Sequence, residues 1–175
     1  IVDQALTDDG KTPLYMACAN GHTEVVKILM GAGANANMAR TDDGRTPLYM
    51  ACDQNYPEVV RLLIDGGANV NAATRKGFTI LAGACIPCAA YAPCHSAGTL
   101  AASDDAPSAA LVMVLASGAV TDATLRATIA FCEGTKAWAR EGGGMGLDDR
   151  QNFGMRYALP IFQAQLRGER RWCKN

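Results

Sequence analysis

The chain has 175 residues, 49% hydrophobic yet only 6% aromatic, with a formal net charge of −1. That length suits a single domain, and the scarcity of aromatics suits helices packed on small side chains. No apolar run reaches the roughly 18 residues that a membrane-spanning helix requires. Residues 1–125 carry 7 Lys/Arg against 12 Asp/Glu, whereas residues 126–175 carry 9 against 5. Neither half is charged strongly enough to demand a nucleic acid or a membrane surface.

From Thr7 to Asn37 the chain reads TDDGKTPLYMACANGHTEVVKILMGAGANAN. The stretch returns 34 residues later, Thr41 to Asn71, as TDDGRTPLYMACDQNYPEVVRLLIDGGANVN, identical at 19 of 31 positions. An internal repeat of this period implies a solenoid, in which each unit buries its apolar face against its neighbours. Thr12-Pro13 and Thr46-Pro47 read as a helix N-cap followed by proline at the first helical position. A short first helix then runs to about Asn20, with small residues at Ala17-Cys18 and Ala51-Cys52. Gly21, and Asn55 in the second copy, supply the left-handed residue that ends it. The second helix carries an apolar stripe, Val25, Val26, Leu29 and Met30, repeated as Val59, Val60, Leu63 and Ile64. Gly33 and Gly67 close it, and Asn35-Ala36-Asn37 and Asn69-Val70-Asn71 open an extended arm toward the next unit.

The pattern resembles the ankyrin repeat. The matching residues of the first copy are Gly10, Thr12, Pro13, Leu14, Ala17, Gly21, His22, Glu24, Val25, Val26, Leu29, Gly33, Ala34 and Asn37. Tyr15 and Tyr49 stand where the family carries histidine, and Cys18 and Cys52 where it carries a second alanine. The resemblance implies an all-α ankyrin-repeat solenoid of three to four helix-turn-helix units with extended arms. Residues 1–6 align with the end of a preceding arm, so the chain is expected to begin inside a repeat, as a fragment or a processed product. Repeats are then expected near 7–40, 41–73 and 74–122, followed by a divergent helical cap and basic tail over 123–175.

The third repeat starts at Lys76-Gly77-Phe78-Thr79-Ile80-Leu81, with Ile80 in the proline position. Its register breaks after Ala84-Cys85 and resumes near Ala109, with Ala110, Leu111, Val114 and Leu115 forming the second-helix stripe. The offset from the first copy grows from 67 at Gly77 to 85 at Gly118, so about 18 residues are inserted within 86–107. An addition of that length between helices is uncommon in compact domains. Beyond Thr121 the signature fades. A helix is expected from Asp122 to Cys132, extending toward Trp138, then a glycine break at Gly142–Gly146. A last helix, Asp149 to Leu166, is expected to be interrupted or kinked at Pro160.

Of the chemistry-bearing groups, Cys85, Cys88, Cys94 and His95 form the one candidate metal set, since thiolates and imidazole suit zinc. No second paired-cysteine motif accompanies it, and adjacent Cys94 and His95 rarely reach one tetrahedral ion together. The same two residues lack an orienting third group for nucleophilic catalysis, and the glycine run lacks the Lys-Ser/Thr ending of a phosphate loop. No catalytic residue and no cofactor are therefore expected. Seven cysteines, two of them at repeat-equivalent core positions, point to reduced thiols in an intracellular compartment. Cytoplasm is the default and an organelle interior the alternative.

The resemblance implies a non-catalytic protein-interaction or scaffolding module, a subunit or adaptor of a larger complex. A zinc-stabilised adaptor and a regulatory fragment of a longer enzyme are the alternatives. Binding in this family uses the arm tips and the exposed face of the first helices. Those positions are Asp8, Asp9, Lys11, Ala19 and Asn20 in the first repeat, Asp42, Asp43, Arg45, Asp53 and Gln54 in the second, and Arg75, Lys76 and Phe78 in the third, then Ile86 and Pro87 where the insert starts. Asp8, Asp9, Asp42 and Asp43 are expected to form an acidic ridge that meets a basic surface of the partner. The tail, with Arg167, Arg170, Arg171, Trp172 and Lys174, is a candidate contact for an acidic partner.

Overall fold

A computed structural model describes residues 2–5, 8–84, 108–140 and 149–169, with side chains throughout except over 134–157. Eight helices occupy the described residues, and the only extended pairing among them is one isolated bridge. Helices α1 (Pro13–Ala19) and α2 (Thr23–Gly31) form the first hairpin, and α3 (Pro47–Asp53) and α4 (Pro57–Asp65) the second. The third pairs α5 (Ile80–Ala84) with α6 (Ala109–Ala116), and the last pairs α7 (Asp122–Arg140) with α8 (Asp149–Leu166). Consecutive hairpins stack: α1, α3, α5 and α7 form an inner column that adjoins the arm tips, and α2, α4 and α6 form an outer one. Among the described residues no helix is long and apolar enough to cross a membrane.

The short inner helices start where a threonine hydroxyl meets an orphan amide. Thr12 accepts from the Tyr15 N–H at 3.1 Å, Thr46 from Tyr49 at 3.1 Å, and Thr79 from Ala82 at 3.2 Å. Each such cap contributes about 1 kcal/mol. At the far end of α1 the backbone turns through Gly21 at φ 70°, and a Cβ there would lie 2.7 Å from the Tyr56 ring of the next unit. Gly21 thus serves both a left-handed turn and a close approach. Asn55 makes the same turn at φ 55°. Its side-chain oxygen also accepts from the Ala110 N–H at 3.2 Å, so it caps the first turn of α6 in the neighbouring hairpin.

The core runs through the gap between the two columns. Leu14, Leu48 and Leu81 fill equivalent places in three units, with Val26, Val60, Leu63, Leu111 and Val114 behind them. Leu125, Cys132, Leu159 and Phe162 continue it into α7 and α8. The apolar stripe of the outer helices behaves differently in the two copies. Val59 is 1% exposed, whereas its counterpart Val25 is 45% exposed, and Ile28 is 70% exposed. Helix α4 has α2 on one flank and α6 on the other, while among the described residues α2 has a helix packed on one flank only. Helix α8 continues through Pro160, whose ring stands exposed between buried Leu159 and Phe162. The expected interruption is therefore absent.

An amide spine ties the arms together. Asp3 accepts from the Asn35 N–H at 2.9 Å, Asn37 from Asn69 at 2.7 Å, and Asn71 from Thr121 at 2.9 Å. Asn37 also donates to the Gly67 carbonyl at 3.2 Å, and Asn71 to that of Ala119 at 2.8 Å. The spine therefore reaches α7, although the sequence signature fades before it.

Candidate functional site

Three tips precede α1, α3 and α5, and each has two charged residues followed by glycine: Asp8-Asp9-Gly10, Asp42-Asp43-Gly44 and Arg75-Lys76-Gly77. The second is a tight hairpin, with Arg40 donating to the Arg45 carbonyl at 2.9 Å and Gly44 to that of Arg40 at 3.0 Å. The third closes through the Ala73–Thr79 bridge and the Thr74 N–H donating to the Phe78 carbonyl at 2.9 Å. Neighbouring tips are bonded to each other. Thr41 donates to the Asp9 carbonyl and Arg75 to that of Asp43, both at 2.9 Å. A Cβ on Gly10, which sits at φ 78°, would come within 2.7 Å of the Thr41 side chain. The tips therefore form a row whose spacing the backbone sets.

The side chains of the first two tips do not form a bare acidic ridge. Asp9 pairs with Lys11 at 2.8 Å and with Arg40 at 3.3 Å. The same Arg40 guanidinium contacts Asp42 and lies 3.6 Å from Asp43, which also pairs with Arg45 at 3.2 Å. Asp9, Asp42 and Asp43 are thus matched by Lys11, Arg40 and Arg45. Separate surface pairs contribute little, but a joined network holds its members in place.

Below the tips lie Tyr15 and Tyr49, at equivalent positions of the two copies. Burial pushes the Tyr15 phenol above its ordinary value, against the lowering influence of the nearby Arg40 guanidinium. The Arg45 guanidinium lies over the Tyr49 ring, 5.4 Å from its centroid, a cation–π contact. Burial, reinforced by the Asp53 charge, pushes the Tyr49 phenol up to about 12. Asp53 itself is raised by burial, although Gln54 donates to it at 3.0 Å and Arg45 acts in the opposite direction.

The other sequence-selected positions fall into distinct roles. Asp8, Arg75 and Lys76 are exposed and make no ion pair among the described residues. Asn20 is exposed and donates to the Met16 carbonyl at 2.8 Å, closing its own helix, while Ala19 is half-buried. Phe78 meets Phe131 of α7 edge-on at 4.8 Å between centroids, which occupies part of its ring. Cys85, Cys88, Cys94 and His95 lie outside the described residues, as do the 86–107 insert, the glycine run and the tail beyond Glu169.

Two groups emerge that sequence reasoning passed over. Arg40 is the hub of the first two tips, yet the positions 34 residues to either side hold Leu6 and Thr74. Its failure to repeat is the only sequence signal it carries. Met16 and Met50 occupy equivalent turns of the inner helices, and Met16 is an exposed large apolar side chain. Methionine at such a place offers an adaptable apolar contact.

A family model described as ankyrin repeats (3 copies) matches residues 1–74. No curated protein matches the chain. Ankyrin repeats are generally protein–protein interaction modules and typically non-catalytic.

Proposed function

We propose that this chain, whose residues 1–74 are ankyrin repeats, is a non-catalytic protein-interaction module acting as an adaptor or subunit of a larger complex. Its working surface is the tip row together with exposed Met16 of α1 and the half-buried Met50 and Asp53 of α3. The observation that carries this reading is the cross-bonded tip stack, Thr41 to Asp9 and Arg75 to Asp43. It displays charged side chains on a backbone that needs no ordering when a partner arrives, which lowers the entropic cost of association. Met16 supplies an apolar contact, and a cationic group of the partner faces Asp8 at the first tip. The buried thiols support a non-catalytic role, since desolvation pushes Cys18 up to about 12 and Cys52 further still, far from a reactive thiolate. The buried, unbridged thiols of Cys18 and Cys52 also favour an intracellular compartment.

The test is a comparison of faces in complexes isolated with the full chain. Asp8→Lys and Met16→Ala should each weaken capture by roughly tenfold, the range of interface hot spots. Glu24→Lys and Arg61→Glu, on the exposed sides of α2 and α4, should leave it within about twofold. Equal losses on both faces would contradict the proposal.

A further inference from the structure

The tip row reverses sign along its length. The two places before the tip glycine hold Asp8-Asp9, then Asp42-Asp43, then Arg75-Lys76. Three of the four carboxylates are neutralised within the row by Lys11, Arg40 and Arg45. What remains unpaired among the described residues is Asp8 at one end and Arg75 with Lys76 at the other. We infer that the segment bound across the tips is a polypeptide of graded charge, with an acidic element seated on Arg75 and Lys76 and a basic one on Asp8. This rests on the protein-interaction reading above and adds the orientation and chemistry of the partner.

The third tip is built to hold an anion at a set distance from the second. The Arg75 N–H is bonded to the Asp43 carbonyl at 2.9 Å, so the residue cannot drift from its neighbour. Its side-chain stem passes Gly44 so closely that a Cβ there would lie 3.2 Å from Cγ. A stem held in this way loses less rotamer freedom on binding. The guanidinium beyond it presents a planar fork suited to a carboxylate, and Lys76 adds a point charge. A polyanion is disfavoured, because a nucleic acid or an anionic membrane following the row would bring phosphates against the unpaired Asp8. Like-charge juxtaposition suppresses such partners. A segment whose charge changes sign meets no such penalty.

The experiment applies a zero-length carbodiimide cross-linker, which joins an amine to a carboxylate, to complexes isolated with the full chain. Lys76 is expected to be joined to Asp or Glu side chains of a polypeptide partner. The double variant Arg75→Glu/Lys76→Glu should weaken the complex by about tenfold, and Lys27→Glu on the outer column should not. A complex that depends on Asp8 and Met16 yet ignores the double variant, or gives no carboxylate cross-link at Lys76, overturns the inference and leaves the interaction reading standing. Retention of a poly(dT) oligonucleotide that is lost with the double variant also overturns it, in favour of a polyanion. Indifference to Asp8→Lys and Met16→Ala as well would sink the interaction reading itself. Circular dichroism of each variant separates loss of contact from loss of fold.

Discussion

Asn37 and Asn69 belong to successive arms, and the Asn37 side-chain oxygen accepts the Asn69 backbone N–H at 2.7 Å. In the next unit Asn71 makes the equivalent bond to Thr121 and takes two more, accepting from the Thr124 hydroxyl at 2.8 Å and donating to the Ala119 carbonyl. One amide side chain thus joins the second repeat to the start of α7. Asn71→Ala should cost about 1–3 kcal/mol, since it leaves amide groups without partners. Urea denaturation reads the loss, and hydrogen exchange should show it concentrated in α7. Asn71→Asp should cost less, because it keeps the acceptor and loses only the donor.

Burial differs sharply between side chains of the two outer helices, so truncations of similar chemistry should differ in cost. Leu63 is 0% exposed and Ile28 is 70% exposed. Leu63→Ala should destabilise by about 2–5 kcal/mol, whereas Ile28→Ala should stay within about 0.5 kcal/mol. Thermal or urea unfolding of the two variants in parallel checks the contrast. Similar costs at both sites would mean that the face around Val25 and Ile28 is covered.

The chain should lose stability in alkaline solution. Tyr49 titrates near 10.0 in an unfolded chain and at about 12 when folded. A group raised on folding contributes fully below its unfolded value, and that contribution is lost as pH rises through the folded one. The loss attributable to Tyr49 should therefore develop between pH 10.0 and about 12 and reach roughly 2–3 kcal/mol. Cys18, raised from 9.0 to about 12, adds to the decline from a lower pH. Urea midpoints measured against pH should fall less steeply in Tyr49→Phe than in the unaltered protein.

Asp53 is a carboxylate whose folded pKa burial raises, so its charge opposes folding at neutral pH. Asp53→Asn should raise the melting temperature at pH 7. The advantage should shrink as pH falls through the folded pKa toward 3.8, where the native carboxyl also becomes neutral. If Asp53 is a contact for a partner, the same variant should weaken binding while stabilising the fold, the exchange expected of a functional position. A melting curve and a binding curve on one variant decide this.

Much of this architecture was legible because it rests on local rules. Thr12-Pro13 and Thr46-Pro47 announce helix starts through a hydroxyl and a missing amide, and Gly21 and Asn55 announce helix ends through the left-handed turn. Other features depend on what a neighbouring unit does, and one unit's sequence does not contain that. Val25 fits the apolar stripe as well as Val59 does, and only the presence or absence of a flanking helix separates them. Arg40 follows the aligned copy and is charged like any surface residue. Its role arises when stacking brings Asp9 of the preceding tip within 3.3 Å. The pairing of the tip carboxylates is illegible for the same reason, because their number is plain in the sequence while their cationic partners are set by stacking.

The most direct test of the tip-row account is amide hydrogen exchange of the full chain, alone and in the complex isolated with it. The account predicts slowed exchange on binding across 8–11, 41–46 and 74–78, with 23–31 and 57–65 keeping their free rates. Protection confined to 23–31 and 57–65, with the three tips unchanged, would contradict it.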